Sequence, residues 1–117
     1  MAVITRVKLF INDDPTKDYI DFSVNADIEY EEHEKNIEWD LYMHFYEHDT
    51  ISSDDFIVTR KRKIDPLGMD ETFEERIKRE NLDKDWFDEE VYVILELKPT
   101  QKFKSATKRS DDVKFRA

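Results

Sequence analysis

Residues 37–48 read IEWDLYMHFYEH, and every second side chain from Ile37 to Phe45 is apolar. Successive side chains of a β-strand point to opposite faces, so a period of two indicates a strand with one face in a core. Wound as a helix, the same residues would place apolar side chains around the whole circumference and leave no polar stripe. The stretch therefore predicts a half-buried strand. Its polar side carries Tyr42, His44, Tyr46 and His48.

Within this stretch, His44-Phe-Tyr-Glu47-His48 resembles the H-x-x-E-H motif of the inverted zinc peptidases. That motif requires a helix, because residues four apart on a helix lie one turn apart and can share an ion. On a strand, which rises about 3.3 Å per residue, His44 and His48 lie roughly 13 Å apart. Two ligands that each lie about 2 Å from one zinc ion cannot span that distance. The strand interpretation therefore excludes this motif as a zinc site.

The polar side of the strand is the candidate partner-binding surface. Tyrosine and histidine are amphipathic and rigid, and such side chains on an exposed strand face are typical of recognition surfaces. The alternative is a face that a neighbouring loop covers, or one that lies half-exposed without a partner. The predicted partner-binding residues are Tyr42, His44, Tyr46 and His48.

Other segments alternate in the same way. Residues 20–30 and 91–97 each place apolar side chains at every second position, and residues 3–11 do so with β-branched residues throughout. A weaker strand is predicted over 56–64 and a short one over 113–115.

Residues 69–82 fit two structures. Met69, Phe73 and Ile77 recur every four residues, which suits a helix, whereas Phe73, Glu75 and Ile77 also fit a strand. We favour the strand, followed by a turn within 81–85.

These patterns together predict an all-β fold. Several short alternating strands joined by Asp-, Asn- and Ser-rich loops are typical of an antiparallel β-sandwich, here of about seven strands and immunoglobulin-like or C2-like in outline. With one glycine in 117 residues, the turns have to be built from Asp, Asn and Ser. The length predicts a single domain over residues 1–117, with the polar stretch 99–111 as a mobile loop.

Composition excludes several classes of function. The chain has no cysteine, which removes disulfides, thiolate metal sites and cysteine nucleophiles, and its single glycine excludes phosphate-binding loops. No apolar run approaches the roughly 20 residues that span a bilayer, and no secretory signal is recognisable, so a cytoplasmic location is expected. A net charge of −10 disfavours nucleic acid and anionic membranes as partners. No catalytic residues and no cofactor are predicted.

The acidic residues are unevenly distributed. If the strands alternate in direction, the connections 12–18, 49–55 and 80–90 share one end of the sandwich. They hold twelve acids and two bases, so their net charge equals the whole excess of −10.

Clustered loop aspartates are the oxygen ligands that Ca²⁺ prefers. The arrangement is similar to sandwiches of the C2 and cadherin kind, which hold calcium in loops at one end. The alternative is that these aspartates only form turns and keep the protein soluble. The candidate calcium ligands are Asp13, Asp14, Asp49, Asp54, Asp55, Asp83, Asp85 and Asp88.

Basic residues are concentrated in the run Arg60-Lys61-Arg62-Lys63. Because side chains alternate on a strand, only Arg60 with Arg62, or Lys61 with Lys63, can share a face. Such a patch suits a phosphate or an acidic partner, but lysines also protect edge strands from aggregation, and we favour that interpretation.

Three functions remain as expectations. The first is a non-catalytic module that binds a protein partner through a strand face or its loops. The second is a Ca²⁺-binding module that uses the acidic loops. The third is a small hydrolase whose catalytic residues come from distant positions. The oligomeric state is not predicted.

Overall fold

The computed structural model describes residues 1–48, 54–67, 70–82, 89–100 and 105–115. They form eight antiparallel strands in two packed sheets, and they contain no α-helix, which confirms the predicted all-β sandwich. Short 3₁₀ turns lie at Glu32–Asn36 and Arg79–Asn81. The strands are β1 (Val3–Asn12), β2 (Tyr19–Glu29), β3 (Trp39–His48), β4 (Asp55–Ile64), β5 (Asp70–Lys78), β6 (Glu89–Pro99), β7 (Ala106–Arg109) and β8 (Val113–Phe115).

The two sheets differ in size. One has the order β1-β2-β5; the other has the order β4-β3-β6-β7, with β8 pairing β6 beyond the end of β7. The 3₁₀ turn at Glu32–Asn36 carries the chain from the first sheet to the second. None of the described residues forms a helix long and apolar enough to cross a membrane.

The core lies between the sheets, where the alternating apolar side chains of both inner faces meet. Trp39, Leu41, Met43 and Phe45 of β3 are fully buried, as their period of two predicts. The ring centroids of Phe45 and Phe22, which lies on β2, are 5.5 Å apart, so these two rings join the sheets directly.

The ambiguous segment is a strand, as we favoured. β5 begins at Asp70, and its side chains Phe73, Glu75 and Ile77 face inward and are buried. A 3₁₀ turn at Arg79–Asn81 follows β5 and overlaps the predicted turn at Asn81. Residues 83–85 of the predicted turn lie outside the described residues. Met69, on which the helical interpretation partly depended, lies outside the described residues.

The stretch predicted as a loop, 99–111, contains the strand β7. Its four residues ATKR have no apolar alternation to reveal a strand. Pairing with β6 defines it instead: the Ser110 N–H donates to the Val93 carbonyl at 2.8 Å, and the Val93 N–H donates to the Ser110 hydroxyl oxygen at 2.9 Å. Residues 101–104 lie outside the described part of the chain.

Aspartates build turns, as the scarcity of glycine predicts. The Asp14 carboxylate accepts hydrogen bonds from the Thr16 N–H at 3.0 Å and the Thr16 hydroxyl at 2.7 Å. These bonds from Thr16 lower the pKa of Asp14 below its usual value. In the turn after β4, the Leu67 N–H donates to Asp65 Oδ1 at 3.0 Å.

The basic run lies on β4, which is an edge strand. Arg60 and Arg62 pair in register with the buried Met43 and Leu41, so their side chains face inward. Both contact the carboxylate of Glu75 on β5: Arg62 Nη2 lies 2.5 Å from Oε1, and Arg60 Nε lies 3.5 Å from Oε2. The inward half of the predicted basic patch therefore closes one side of the sandwich with an ion cluster.

The Glu75 cluster allows a prediction about stability. Burial raises the pKa of Glu75, although Arg62 and Arg60 act in the opposite direction. The folded state therefore disfavours the ionised form of Glu75. As the pH rises from about 4.5 through the raised pKa, ionisation of this group lowers the free energy of unfolding. We expect Glu75→Gln to change the free energy of unfolding by less than about 1 kcal/mol at pH 7, because both arginines reach solvent.

Urea unfolding at pH 4.5 and pH 7 measures this effect. Between pH 4.5 and pH 7, the free energy of unfolding of Glu75→Gln should rise relative to that of the wild-type protein. For the control Glu74→Gln, on the solvent side of β5, the difference from the wild-type protein should not change with pH. A loss of more than about 2 kcal/mol in Glu75→Gln at pH 7 would contradict the expected penalty for the ionised carboxylate.

Candidate functional site

The predicted partner-binding residues form one row on the outer face of β3. Tyr42, His44, Tyr46 and His48 are each partly buried there, between β4 on one side and β6 on the other. Neighbouring strands set the contacts of each of these side chains.

His44 is held by both neighbouring strands. Its Nδ1 lies 2.7 Å from the Thr59 hydroxyl on β4, and its Nε2 lies 3.2 Å from Glu96 Oε1 on β6. A neutral imidazole protonated at Nε2 satisfies both contacts, since Nδ1 then accepts from the hydroxyl and Nε2 donates to the carboxylate.

Hydroxyl, imidazole and carboxylate also follow one another in hydrolase triads. Here Thr59, His44 and Glu96 lie across three strands of a sheet face. Two open depressions of the surface, of about 590 and 490 Å³, are lined by other residues, among them Arg76 in the first and Pro66 in the second. A triad also needs a cavity that places a substrate against the hydroxyl. The two contacts themselves fix the orientation of His44.

Tyr42 is surrounded by cations. Lys61 Nζ on β4 lies 5.7 Å from the centre of its ring, and Lys98 Nζ on β6 lies 5.1 Å from it. The ring of Tyr42 is also parallel to that of His44, at a centroid distance of 6.2 Å. Lys61 also pairs with Asp40 at 3.7 Å and Lys98 with Glu96 at 3.6 Å, so the end of the face near Tyr42 carries charges of both signs.

Three rings, which we call the aromatic row, cross the other end of the face. Phe56 on β4 packs edge-on against Tyr46 on β3, which stacks on Tyr92 of β6, and both centroid distances are 5.5 Å. Phe56 is 57% exposed, whereas Tyr92 is buried beneath the Arg109 guanidinium, which lies 3.6 Å from its ring centre. The aromatic row therefore begins at a solvent-exposed ring.

The outer face of the three-stranded sheet is different in character. Apart from exposed side chains of β1 such as Phe10, its side chains are mostly polar, and several are paired across the strands. Ser23 donates to Glu74 at 3.1 Å and Asn25 donates to Thr72 at 2.8 Å. The aromatic row thus distinguishes one face of the sandwich from the other.

His48, the last residue of β3, lies among carboxylates from three other segments. Its Nδ1 is 3.7 Å from Asp112 Oδ2 and 3.9 Å from Asp54 Oδ1. Glu90 is its register partner on β6. Ligand atoms of His48, Glu90 and Asp112 all lie within 4.8 Å of one another. We call His48, Asp54, Glu90 and Asp112 the His48 cluster.

Tyr92 and Arg109 hold two of these carboxylates in place. The Tyr92 hydroxyl donates to Asp54 Oδ2 at 2.5 Å, and Arg109 Nη2 donates to Asp112 Oδ1 at 2.9 Å. Burial, together with the bond to Asp54, raises the pKa of Tyr92 to about 12. This tyrosine therefore stays a proton donor throughout the neutral range.

A second group of potential ligands lies at the N-terminus and consists of Glu31, His33 and Glu34. The Met1 ammonium lies 2.7 Å from Glu31 Oε1 and 3.3 Å from Glu34 Oε1. Since a cation already occupies this group, we assign it to anchoring the first strand.

Four of the predicted calcium ligands belong to the described residues, and they are not brought together. Asp13 pairs with Arg79, and Asp14 forms its turn with Thr16. Among the described side chains, only Asp54 of the four lies in the His48 cluster, and Asp55 begins β4. The calcium site stays a prediction, because its other candidates, Asp49, Asp83, Asp85 and Asp88, lie outside the described residues.

The sequence pointed to His48 and Asp54 as candidate site residues, but not to the residues that surround them in the His48 cluster. Glu90 and Tyr92 alternate with the buried Val91 and Val93, so a signal for the outer face of β6 was present. The sequence did not predict that β6 pairs with β3 and β8, which is what brings these residues together. Asp112 carried no signal of its own, since it lies in the polar stretch before β8.

Known proteins offer few parallels to this chain. No protein-family model and no curated protein matches the sequence. Among solved structures, the chain is similar to part of a Se-Met labelled β-glucosidase from Kluyveromyces marxianus, with 13% sequence identity and a TM-score of 0.39. The alignment covers 95% of this chain and 15% of the β-glucosidase chain. A likeness at this level carries no argument about function.

Proposed function

We propose that this protein is a non-catalytic interaction module that binds a protein partner through the outer face of its five-stranded sheet. The observation that carries the proposal is the aromatic row, which begins at the exposed ring of Phe56 and continues over Tyr46 to Tyr92. Aromatic side chains are enriched at the centres of protein interfaces, where they contribute a large apolar area at a low cost in conformational entropy.

The contacts within the face support this proposal. Tyr46 is packed between two other rings and His44 is bonded on both sides, so little side-chain freedom remains to be lost on binding. Lys61 and Lys98 border the same face beside Tyr42. The chemistry that fits is a protein surface with an apolar side chain for Phe56 and charges of both signs opposite the ion pairs Lys61–Asp40 and Lys98–Glu96.

Phe56→Asp tests the proposal, because the sandwich supplies a matched control. Phe10, on the outer face of the other sheet, is 55% exposed compared with 57% for Phe56. Both variants place a carboxylate on a solvent-exposed strand position, so both should fold. If Phe56 is a central contact worth at least about 2 kcal/mol, Phe56→Asp should weaken binding roughly 30-fold. Phe10→Asp should leave binding unchanged.

The measurement has two steps. Proteins that the immobilised wild-type chain and both variants capture are first quantified. The affinity of each purified candidate partner is then measured against all three chains. Sedimentation of the chain alone tests whether the partner is a second copy of itself. A partner that binds the Phe56→Asp and wild-type chains with equal affinity would overturn the proposed surface. The cytoplasmic location stays a prediction.

A further inference from the structure

The imidazole of His48 has an unusual environment. Its Nδ1 atom is buried and has no hydrogen-bond partner among the described atoms. The two carboxylate oxygens nearest to it, on Asp112 and Asp54, lie 3.7 and 3.9 Å away, which is too far for a hydrogen bond. A buried polar atom without a partner is rare in folded proteins and calls for an explanation.

The separations match those between ligands of one metal ion. Around a tetrahedral ion with metal–nitrogen and metal–oxygen distances of about 2.0–2.2 Å, neighbouring ligand atoms lie roughly 3.3–3.6 Å apart. The 3.7 Å between His48 Nδ1 and Asp112 Oδ2 is close to that range. With Glu90, these residues form a group in which one ligand atom of each lies within 4.8 Å of one ligand atom of each of the others.

We propose that His48, Glu90 and Asp112 bind one divalent transition-metal ion of the Zn²⁺ class. Zinc accepts imidazole nitrogen together with carboxylate oxygen, whereas Ca²⁺ and Mg²⁺ prefer oxygen ligands alone. Asp54, whose Oδ1 lies 3.9 Å from the same nitrogen, adds a further carboxylate to the surroundings. His48 belongs to the same strand face as the proposed protein-binding surface, but the inference rests on the contacts of the His48 cluster and not on the proposed function.

Neighbouring residues orient the three ligands. Arg109 bonds Asp112 through Oδ1, which leaves Oδ2 directed at His48. Lys114 Nζ lies 3.8 Å from Glu90 Oε1. Such outer contacts fix ligating carboxylates in known metal sites. With His48 neutral, the three carboxylates of the His48 cluster outnumber Arg109 and Lys114, so the surroundings favour a cation.

The alternative is that His48 is protonated and simply forms an ion pair with the carboxylates. An imidazolium N–H would be drawn to one carboxylate oxygen at about 2.7–2.9 Å. The two observed separations are both longer, and they are nearly equal. The separations therefore leave room for an ion between the groups.

Direct titration of the full chain tests the site. After treatment with chelator and buffer exchange, the protein is titrated calorimetrically with Zn²⁺, Ca²⁺ and Mg²⁺ in turn, and Co²⁺ is added to a separate sample for its visible absorption. We expect one Zn²⁺ per chain, a Co²⁺ spectrum typical of four-coordinate nitrogen and oxygen ligation, and at least tenfold weaker binding of Ca²⁺ and Mg²⁺.

The chain supplies matched controls for each ligand type. Its other two histidines are His44, on the same strand face, and His33, in the N-terminal group. His48→Gln should weaken Zn²⁺ binding at least tenfold, while His44→Gln and His33→Gln should leave it within twofold. Asp112→Asn should likewise weaken binding, and the adjacent exposed Asp111→Asn should not.

Imidazole NMR of the wild-type chain provides a test that needs no variant, so misfolding of His48→Gln cannot obscure the result. Stoichiometric Zn²⁺ should shift the ring nitrogens of His48 and leave those of His44 unchanged. Failure of the wild-type chain to bind Zn²⁺, equal binding by His48→Gln, or an unshifted His48 ring would each overturn the proposal. So would Ca²⁺ affinity equal to that for Zn²⁺.

Discussion

Phe45→Ala should lower the free energy of unfolding by about 3–5 kcal/mol, the largest effect we expect of any single substitution in this protein. Phe45 is fully buried, and its ring meets that of Phe22 from the opposite sheet at 5.5 Å. Alanine would remove that contact and leave a cavity where the two sheets join. The rigid strands on either side limit how far the cavity can collapse, so most of the loss should persist.

Chemical denaturation followed by tryptophan fluorescence measures this effect, since Trp39 is buried in the same core. Phe56→Ala is the matched control, because the same ring is removed from an exposed position on the neighbouring strand. It should change the free energy of unfolding by less than about 1 kcal/mol. If the two variants lost the same stability, Phe45 could not lie where the sheets join.

Glu34→Gln should cost on the order of 2–3 kcal/mol at pH 7. The Glu34 side chain is 1% exposed and accepts hydrogen bonds from the Ala2 N–H at 2.8 Å and the Glu31 N–H at 2.9 Å. Its Oε1 also lies 3.3 Å from the Met1 ammonium. A glutamine would turn an NH₂ group towards one of these donors and leave a buried N–H without an acceptor.

The direction of the pKa shift of Glu34 determines how this loss of stability depends on pH. Burial alone would raise the pKa of Glu34, but the bonds from Glu31, Ala2 and Met1 hold that pKa below its usual value of 4.5. A lowered pKa means that the ionised carboxylate stabilises the folded state above about pH 4.5, and that this contribution is lost as the pH falls through the lowered value. Wild-type and Glu34→Gln chains should therefore converge in stability in acid.

Glu32→Gln is the control, because Glu32 lies in the same 3₁₀ turn but its side chain is 91% exposed. We expect it to change stability by less than about 0.5 kcal/mol at any pH. Urea unfolding of both variants between pH 3 and pH 7 measures the difference. A deficit in Glu34→Gln that persisted undiminished at pH 3 would show that packing, and not the carboxylate charge, is what the turn requires.

The sequence predicted the strands whose apolar residues alternate, because a sandwich buries one face of each. β2, β3 and β6 follow this rule over most of their length, and the structure confirms them as strands. The exceptions include Glu47 of β3, which faces inward and is buried, and Tyr92 of β6, which is buried on the outer face. β7 does not follow it. Backbone hydrogen bonds to β6 hold this strand in the sheet. Such bonds can form with almost any residue type, so no sequence pattern predicts the strand.

Side-chain clusters were harder to predict than strands. Glu34 lies among four other charged residues in EEHEKN, and nothing in that composition distinguishes the one buried carboxylate from its exposed neighbours. The His48 cluster combines β3, β6 and the start of β8, so it depends on strand pairing, which local patterns do not encode.

The position of β6 in the larger sheet also has a consequence for synthesis on the ribosome. Trp39 of β3 pairs with Pro99 of β6, sixty residues later in the chain. At roughly 5–20 residues per second, β3 emerges several seconds before the strand that covers its second edge. Meanwhile only β4 pairs with β3 in its sheet, so the nascent chain carries an unpaired strand edge that can pair with another chain. Slow translation after β4 would lengthen this exposure.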